Sequence, residues 1–101
     1  MKTKVYLSGC ISNDPDFKQK FAEMEDIVAH HYGEVVNPCK WDEGTNKPWI
    51  FYICRDIYRI WFGGFTHILM LQDWEQSYGA QIERLVAQKR SIKVVYEEAS
   101  K

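Results

Sequence analysis

THILMLQDWEQSYGAQIERLVA, residues 66–87, decides the fold. Its opening part, Thr66 to Leu71, is the most continuous apolar run in the chain. A run of that length ahead of polar turn residues predicts a central strand buried on both faces, as in a parallel sheet. Ser77 then stands just before Ile82, Leu85 and Val86, which recur at helical spacing, so Ser77 reads as the N-cap of a helix reaching about Arg90. Lys89 and Arg90 fall in its last turn, where the helix dipole favours cations. On this reading Glu83 lies on the less apolar side of that helix.

The rest of the chain repeats the unit on both sides of this stretch. Pro48 opens a second helical pattern whose apolar stripe is Trp49, Ile53, Ile57 and Ile60, stopped by Gly63 and Gly64. Before it, Glu34 to Asn37 reads as a short strand ended by Pro38, and residues 39–47 as a loop turned by Gly44, Thr45 and Asn46. Trp41 in that loop either packs on its own domain or covers a base. Asn13, Asp14 and Pro15 predict a helix start, with Asp14 as N-cap and Pro15 in the first helical position. Phe17, Phe21, Met24, Ile27 and Val28 form the packing stripe of that first helix, and Gly33 closes it. His30 and His31 near its end complement the dipole as surface residues; no carboxylate or spaced histidine accompanies them as a metal site requires. Lys4 to Ser8, followed by Gly9, is a buried first strand, Ile92 to Tyr96 is the last, and Glu97 to Lys101 is a polar tail.

The order βαβαβαβ implies right-handed crossovers and a parallel sheet between helices. The expected architecture is a single-domain three-layer α/β/α sandwich, flavodoxin-like, with strand order 2-1-3-4 over residues 1–101. Sheets of this kind bind ligands beyond the carboxyl ends of the strands, where the winding direction switches. Here those ends are Ser8 to Ile11 and Gln72 to Ser77, which makes Ser8, Gly9 and Cys10 candidate ligand contacts.

Composition narrows the partners. A formal net charge of −1 from 13 basic and 14 acidic residues lacks the clustered cations that a nucleic-acid polymer or an anionic membrane surface attracts. A small ligand is the better expectation. The three cysteines, Cys10, Cys39 and Cys54, show neither a disulfide framework nor C-x-x-C metal spacing, so they read as reduced thiols and no metal is expected. Val5 to Leu7 is too short for a signal-peptide core, and no run approaches the roughly 20 apolar residues of a membrane span. A cytoplasmic location is expected. The chain has no G-x-G-x-x-G after its first strand, which argues against a dinucleotide oxidoreductase.

Two carboxylates stand out. Glu83 has Gly79, Ala80, Val86 and Ala87 as its neighbours three and four positions away, so its surroundings are small and apolar rather than ionic. It lies six residues past Ser77, roughly 9 Å along the axis at 1.5 Å per residue. A ribose 5-phosphate spans that gap, its phosphate on the Ser77 turn, where Gly79 and Ala80 leave backbone N–H groups approachable, and its anomeric carbon facing Glu83. The plainer alternative makes Ser77 a simple cap and Glu83 a solvated surface residue. Asp56, between Ile53 and Ile60, falls on or beside an inward stripe, where an unpaired charge costs several kcal/mol. It therefore has either a function or an ion-pair partner, with Arg59 at i+3 better placed than Arg55. Tyr6 in the first strand is either a core tyrosine with a satisfied hydroxyl or part of the same site.

KVYLSG at 4–9, VVNP at 35–38, CRDI at 54–57 and SYGAQIERLVA at 77–87 occur in an order that resembles the nucleoside 2-deoxyribosyltransferase-like superfamily, in its small bacterial and phage members. The resemblance spans nearly the whole chain. It implies cleavage or transfer at the N-glycosidic bond of a nucleoside or nucleoside 5-monophosphate without a cofactor. Glu83 matches the nucleophile of that family. Asp56 matches the aspartate that orients the sugar or handles the proton of the leaving base, and Tyr6 a tyrosine that contacts nucleophile or sugar. Ser77 falls where nucleotide hydrolases of the superfamily hold a phosphate. Three features depart from the pattern: Cys10 replaces a usual proline, Asp73 and Glu75 add negative charge near the anion turn, and the chain ends soon after its last strand. The alternative is a nucleotide-binding or sensing module on the same fold that has lost catalysis.

Helix 49–62 carries aromatic residues on several sides, including Phe51, Tyr58 and Phe62. They cannot all face one sheet, so a homo-oligomer, at least a dimer, is expected.

Overall fold

The computed structural model describes residues 3–9, 16–38 and 49–97. The expected Asp14 cap with Pro15, residue Cys10, and the 39–47 loop with Cys39 and Trp41 lie outside them. The described elements are β1 (Lys4–Ser8), α1 (Phe17–Tyr32), β2 (Glu34–Val36), α2 (Trp49–Phe62), β3 (His67–Met70), a 3-10 turn (Trp74–Gln76), α3 (Tyr78–Lys89) and β4 (Lys93–Tyr96). The expected strands are present, each within one or two residues of its predicted ends. The 3-10 turn has no counterpart among the predicted elements; it is closed by Ser77 N–H donating to the Trp74 carbonyl at 3.1 Å.

All strand pairs are parallel and the order is β2-β1-β3-β4. The expected flavodoxin-like α/β/α sandwich is therefore the fold. From β1 the chain winds outward to β2, then crosses back to β3 and on to β4. That reversal puts α1 on one face of the sheet and α2 with α3 on the other, the arrangement that right-handed crossovers require.

Strand periodicity sorts the core into two halves. Val5 and Leu7 of β1, with Leu69 and Leu71, pack on Phe21 and Val28 of α1. Tyr6, Ile68 and Met70 pack on Ile60 of α2 and on Ala80 and Ala87 of α3. The register sets Tyr6 beside Ile68 and Ser8 beside Met70, so Tyr6 and Ser8 point toward α2 and α3.

On α1 the expected stripe faces inward through Phe21, Met24 and Val28, with Ile27 alone of it exposed; α3 turns a different face inward from the one apolar periodicity predicts. On α3, Leu85 is 55% exposed, and the buried line is Gly79, Ala80, Glu83 and Ala87. Glu83 is thus on the inward face, and neither the less apolar side nor a solvated surface holds it. The reason is close packing: a Cβ on Gly79 would lie 2.8 Å from Ile53 Cδ1, so α3 meets α2 through its smallest residues. Large side chains on that line would push the helices apart.

Candidate active site

Ser8, Asn37, Asp56 and Glu83 are the buried polar or charged residues among those described, and three of the four meet at one place. The contact between Gly79 and Ile53 accounts for it. One turn past Gly79 comes Glu83, and one turn past Ile53 comes Asp56, so the close crossing of α2 and α3 brings the two carboxyl groups into hydrogen-bond contact. β1 supplies the floor. Ser8 Oγ donates to Glu83 Oε1 at 2.6 Å, and the Tyr6 hydroxyl donates to Glu83 Oε2 at 3.3 Å. Tyr6 and Ser8 reach the same carboxylate because they lie two apart on a strand and share a face.

Asp56 is clamped from the other side. Arg55 Nε and Nη2 both donate to Asp56 Oδ1, at 3.1 and 2.8 Å, and the guanidinium also lies over the Tyr52 ring at 5.4 Å. The expected partner, Arg59, is not the residue that forms this pair. Helical neighbours ordinarily diverge, which is why position i−1 ranked below i+3 on sequence grounds. A long arginine stem folded back over Tyr52 overcomes that divergence.

These neighbours set the protonation of the site. Burial, first, and then the negative charge and hydrogen bond of Asp56 push the Glu83 carboxyl well above its ordinary range; the bonds from Ser8 and Tyr6 pull partly the other way. Burial and the same two carboxylates push the Tyr6 phenol up as well, so it stays a donor. The arrangement is a guanidinium, Asp56 and Glu83 in a row, with burial and the charge of Asp56 favouring the protonated form of Glu83. Such a pair can deliver that proton to a leaving group and afterwards present a bare carboxylate.

The remaining predicted residues have other partners or lie outside the described residues. Ser77 is the N-cap of α3, its Oγ accepting from Ala80 N–H at 3.2 Å. Gly79 and Ala80, expected to leave the first turn open to a ligand, are buried against Ile53 and in the core cluster of Tyr6. Their smallness serves the packing of α3 on α2. Gly9 follows β1 tightly, since a Cβ there would lie 2.9 Å from Leu71 Cβ. Cys10 lies outside the described residues. Asp73 pairs with Lys20 of α1, a contact that sequence alone does not reveal because the two are 53 residues apart. Its negative charge near the strand ends is thereby offset, while Glu75 is exposed. Among the described residues no group of three histidine, cysteine or carboxylate side chains is placed to hold a metal ion. No helix among them is long and apolar enough to cross a membrane.

Fold and centre together define a small parallel α/β sandwich with a buried carboxylate pair beside the end of its first strand. The chain belongs to the family described as a domain of unknown function, DUF4406, whose model matches residues 3–96. No curated protein and no solved structure matches it.

Proposed function

We infer that the protein cleaves the N-glycosidic bond of a nucleoside or nucleoside 5-monophosphate, as a hydrolase or deoxyribosyltransferase of the nucleoside 2-deoxyribosyltransferase-like kind. The observation that carries this reading is Glu83, buried, held by Ser8 and Tyr6, and in contact with Asp56. A lone structural carboxyl needs no second carboxyl beside it; a glycosidic reaction uses both. The ordered sequence motifs support the same conclusion.

In the proposed reaction the proton held by the pair passes through Asp56 to the base, which leaves as the C1'–N bond breaks. Glu83, left ionised, forms a bond from one carboxylate oxygen to C1' as oxocarbenium character develops there. Water or a second base then attacks C1' from the vacated side, releases Glu83, and returns a proton to Asp56. Ser8 and Tyr6 orient the attacking oxygen, and Arg55 keeps Asp56 in place. Ser77, whose hydroxyl hydrogen is a donor in addition to its capping role, is the residue proposed to meet a 5-phosphate. The proposed setting is the cytoplasm.

The decisive assay incubates the protein with a panel of ribo- and deoxyribonucleosides and their 5-monophosphates and follows released base by chromatography. Turnover with at least one substrate, lost in Glu83→Ala, is expected. No release from any of them, or release unchanged by the substitution, overturns the reading. A second reading, a binding module without catalysis, is favoured by the burial and the neighbouring Asp56 that push the Glu83 carboxyl up, since a protonated carboxyl cannot attack. It predicts saturable nucleotide binding with no base released, and binding that survives Glu83→Ala.

A further inference from the structure

The outer side of α3 carries a second cluster of polar and aromatic residues, which the carboxyl centre does not use. Gln81, Arg84 and Leu85 share a helix face turned away from the buried line of Gly79, Ala80, Glu83 and Ala87. The 3-10 turn that follows β3 brings Trp74 and Glu75 beside them. β4 brings Tyr96, because Met70 near the end of β3 pairs with Tyr96 at the end of β4. Trp74, Glu75, Gln81, Arg84 and Leu85 line a cavity of about 290 Å³. That is the lower end of the size of small-ligand pockets, roughly 300–1,000 Å³.

Arg84 is held in place before any ligand arrives. Its Nε donates to the Tyr96 hydroxyl at 2.7 Å, and its guanidinium carbon lies 5.1 Å from the centre of the Trp74 ring and 6.0 Å from that of Tyr96. These contacts fix the plane of the group but occupy only its Nε–H. The N–H groups on Nη1 and Nη2 have no acceptor among the described residues, whereas the guanidinium of Arg55 has Asp56. Such a free end matches the two oxygens of a carboxylate.

The other walls narrow the ligand. Glu75 lines the same cavity without pairing with Arg84, so one charge of each sign faces the space. A neutral balance of that kind opposes a phosphate dianion and suits a molecule that carries both signs. Gln81 Nε2 donates to the Glu75 carbonyl at 2.7 Å, which orients the amide and leaves its Oε1 as an acceptor. Leu85, 55% exposed, and Trp74 supply an apolar wall.

We propose that this cavity binds a small zwitterion, an α-amino acid with an apolar side chain. Its carboxylate lies on Arg84, its ammonium on Glu75 and Gln81, and its side chain on Leu85 and Trp74. The site lies on the other side of α3 from Glu83 and stands independently of the reaction proposed above.

The test is a titration of the ¹⁵N-labelled full chain, followed by nuclear magnetic resonance at the Trp74 indole N–H. The probes are L-phenylalanine, L-leucine, 3-phenylpropionate, which lacks the ammonium, and phenethylamine, which lacks the carboxylate. Both amino acids should give a saturable shift in the micromolar to millimolar range, and each truncated analogue should bind roughly 10-fold more weakly than phenylalanine. Arg84→Gln should weaken phenylalanine binding by roughly 10-fold or more. Should that variant fail to fold, Glu75→Gln, at an exposed position, decides: it should abolish the preference for phenylalanine over 3-phenylpropionate. Glu83→Ala should leave phenylalanine binding unchanged. No saturable shift up to about 10 mM of either amino acid overturns the proposal. So do a truncated analogue that binds as tightly as phenylalanine, a preference that survives Glu75→Gln, and binding lost in Glu83→Ala.

Discussion

Replacing Glu83 by glutamine makes the energetics of the carboxylate pair measurable. Glutamine keeps an oxygen for the 2.6 Å bond from Ser8 but cannot ionise. In the folded wild type, burial and Asp56 hold the Glu83 carboxyl well above 4.5, its ordinary value, which the unfolded chain retains. Between those two values the folded state carries a proton that the unfolded state has lost. Stability must therefore fall as pH rises through that window, with a slope of up to about 1.4 kcal/mol per pH unit for one proton. The contribution is fully present below 4.5 and gone once pH has passed the raised value of the folded state. Glu83→Gln removes this dependence, so its stability relative to wild type should be level in acid and climb through the mildly acidic range. Other carboxylates cancel in the difference. Urea unfolding followed by far-ultraviolet circular dichroism, repeated at half-unit steps from about pH 4 to pH 8, gives both curves. Parallel curves, or a glutamine variant that loses stability relative to wild type as pH rises, would refute the upward shift of the buried Glu83 carboxyl.

The other two predictions concern the floor of the site and the face of α3. Tyr6→Phe removes one donor, 3.3 Å from Glu83, and should cost about 0.5–1.5 kcal/mol in urea unfolding. It should also extend the pH window just described to higher pH, because that hydrogen bond pulls the Glu83 carboxyl down. Leu85→Glu and Ala87→Glu test which side of α3 faces inward: the first, at an exposed position, should change stability by less than about 0.5 kcal/mol. The second puts an unpaired charge into the core and should cost several kcal/mol, seen as loss of cooperative thermal unfolding; equal effects from both would contradict the packing of α3.

Much of the fold follows from signals that act over a few residues. Ser77 caps α3 because its hydroxyl reaches a backbone N–H three residues on, and β-branched runs extend because their side chains crowd a helix. The alternation of strand and helix then permits little besides a parallel sheet, and the 2-1-3-4 order agrees with that expectation. Tyr6 and Ser8 could be placed on one face by strand periodicity alone. The inward face of α3 could not. Ile82, Leu85 and Val86 dominate any apolar count, whereas Gly79, Ala80 and Ala87 add little to it, although they are the residues α2 needs in order to approach. Arg55 rather than Arg59 on Asp56, and Lys20 on Asp73, were equally hidden, since the first depends on how the Arg55 stem folds over Tyr52 and the second on where side chains from packed elements end in space. Local chemistry along the chain determined which segments became helix or strand. The distance of closest approach between two helices, a property of the packed core, decided that Glu83 and Asp56 meet in one buried place.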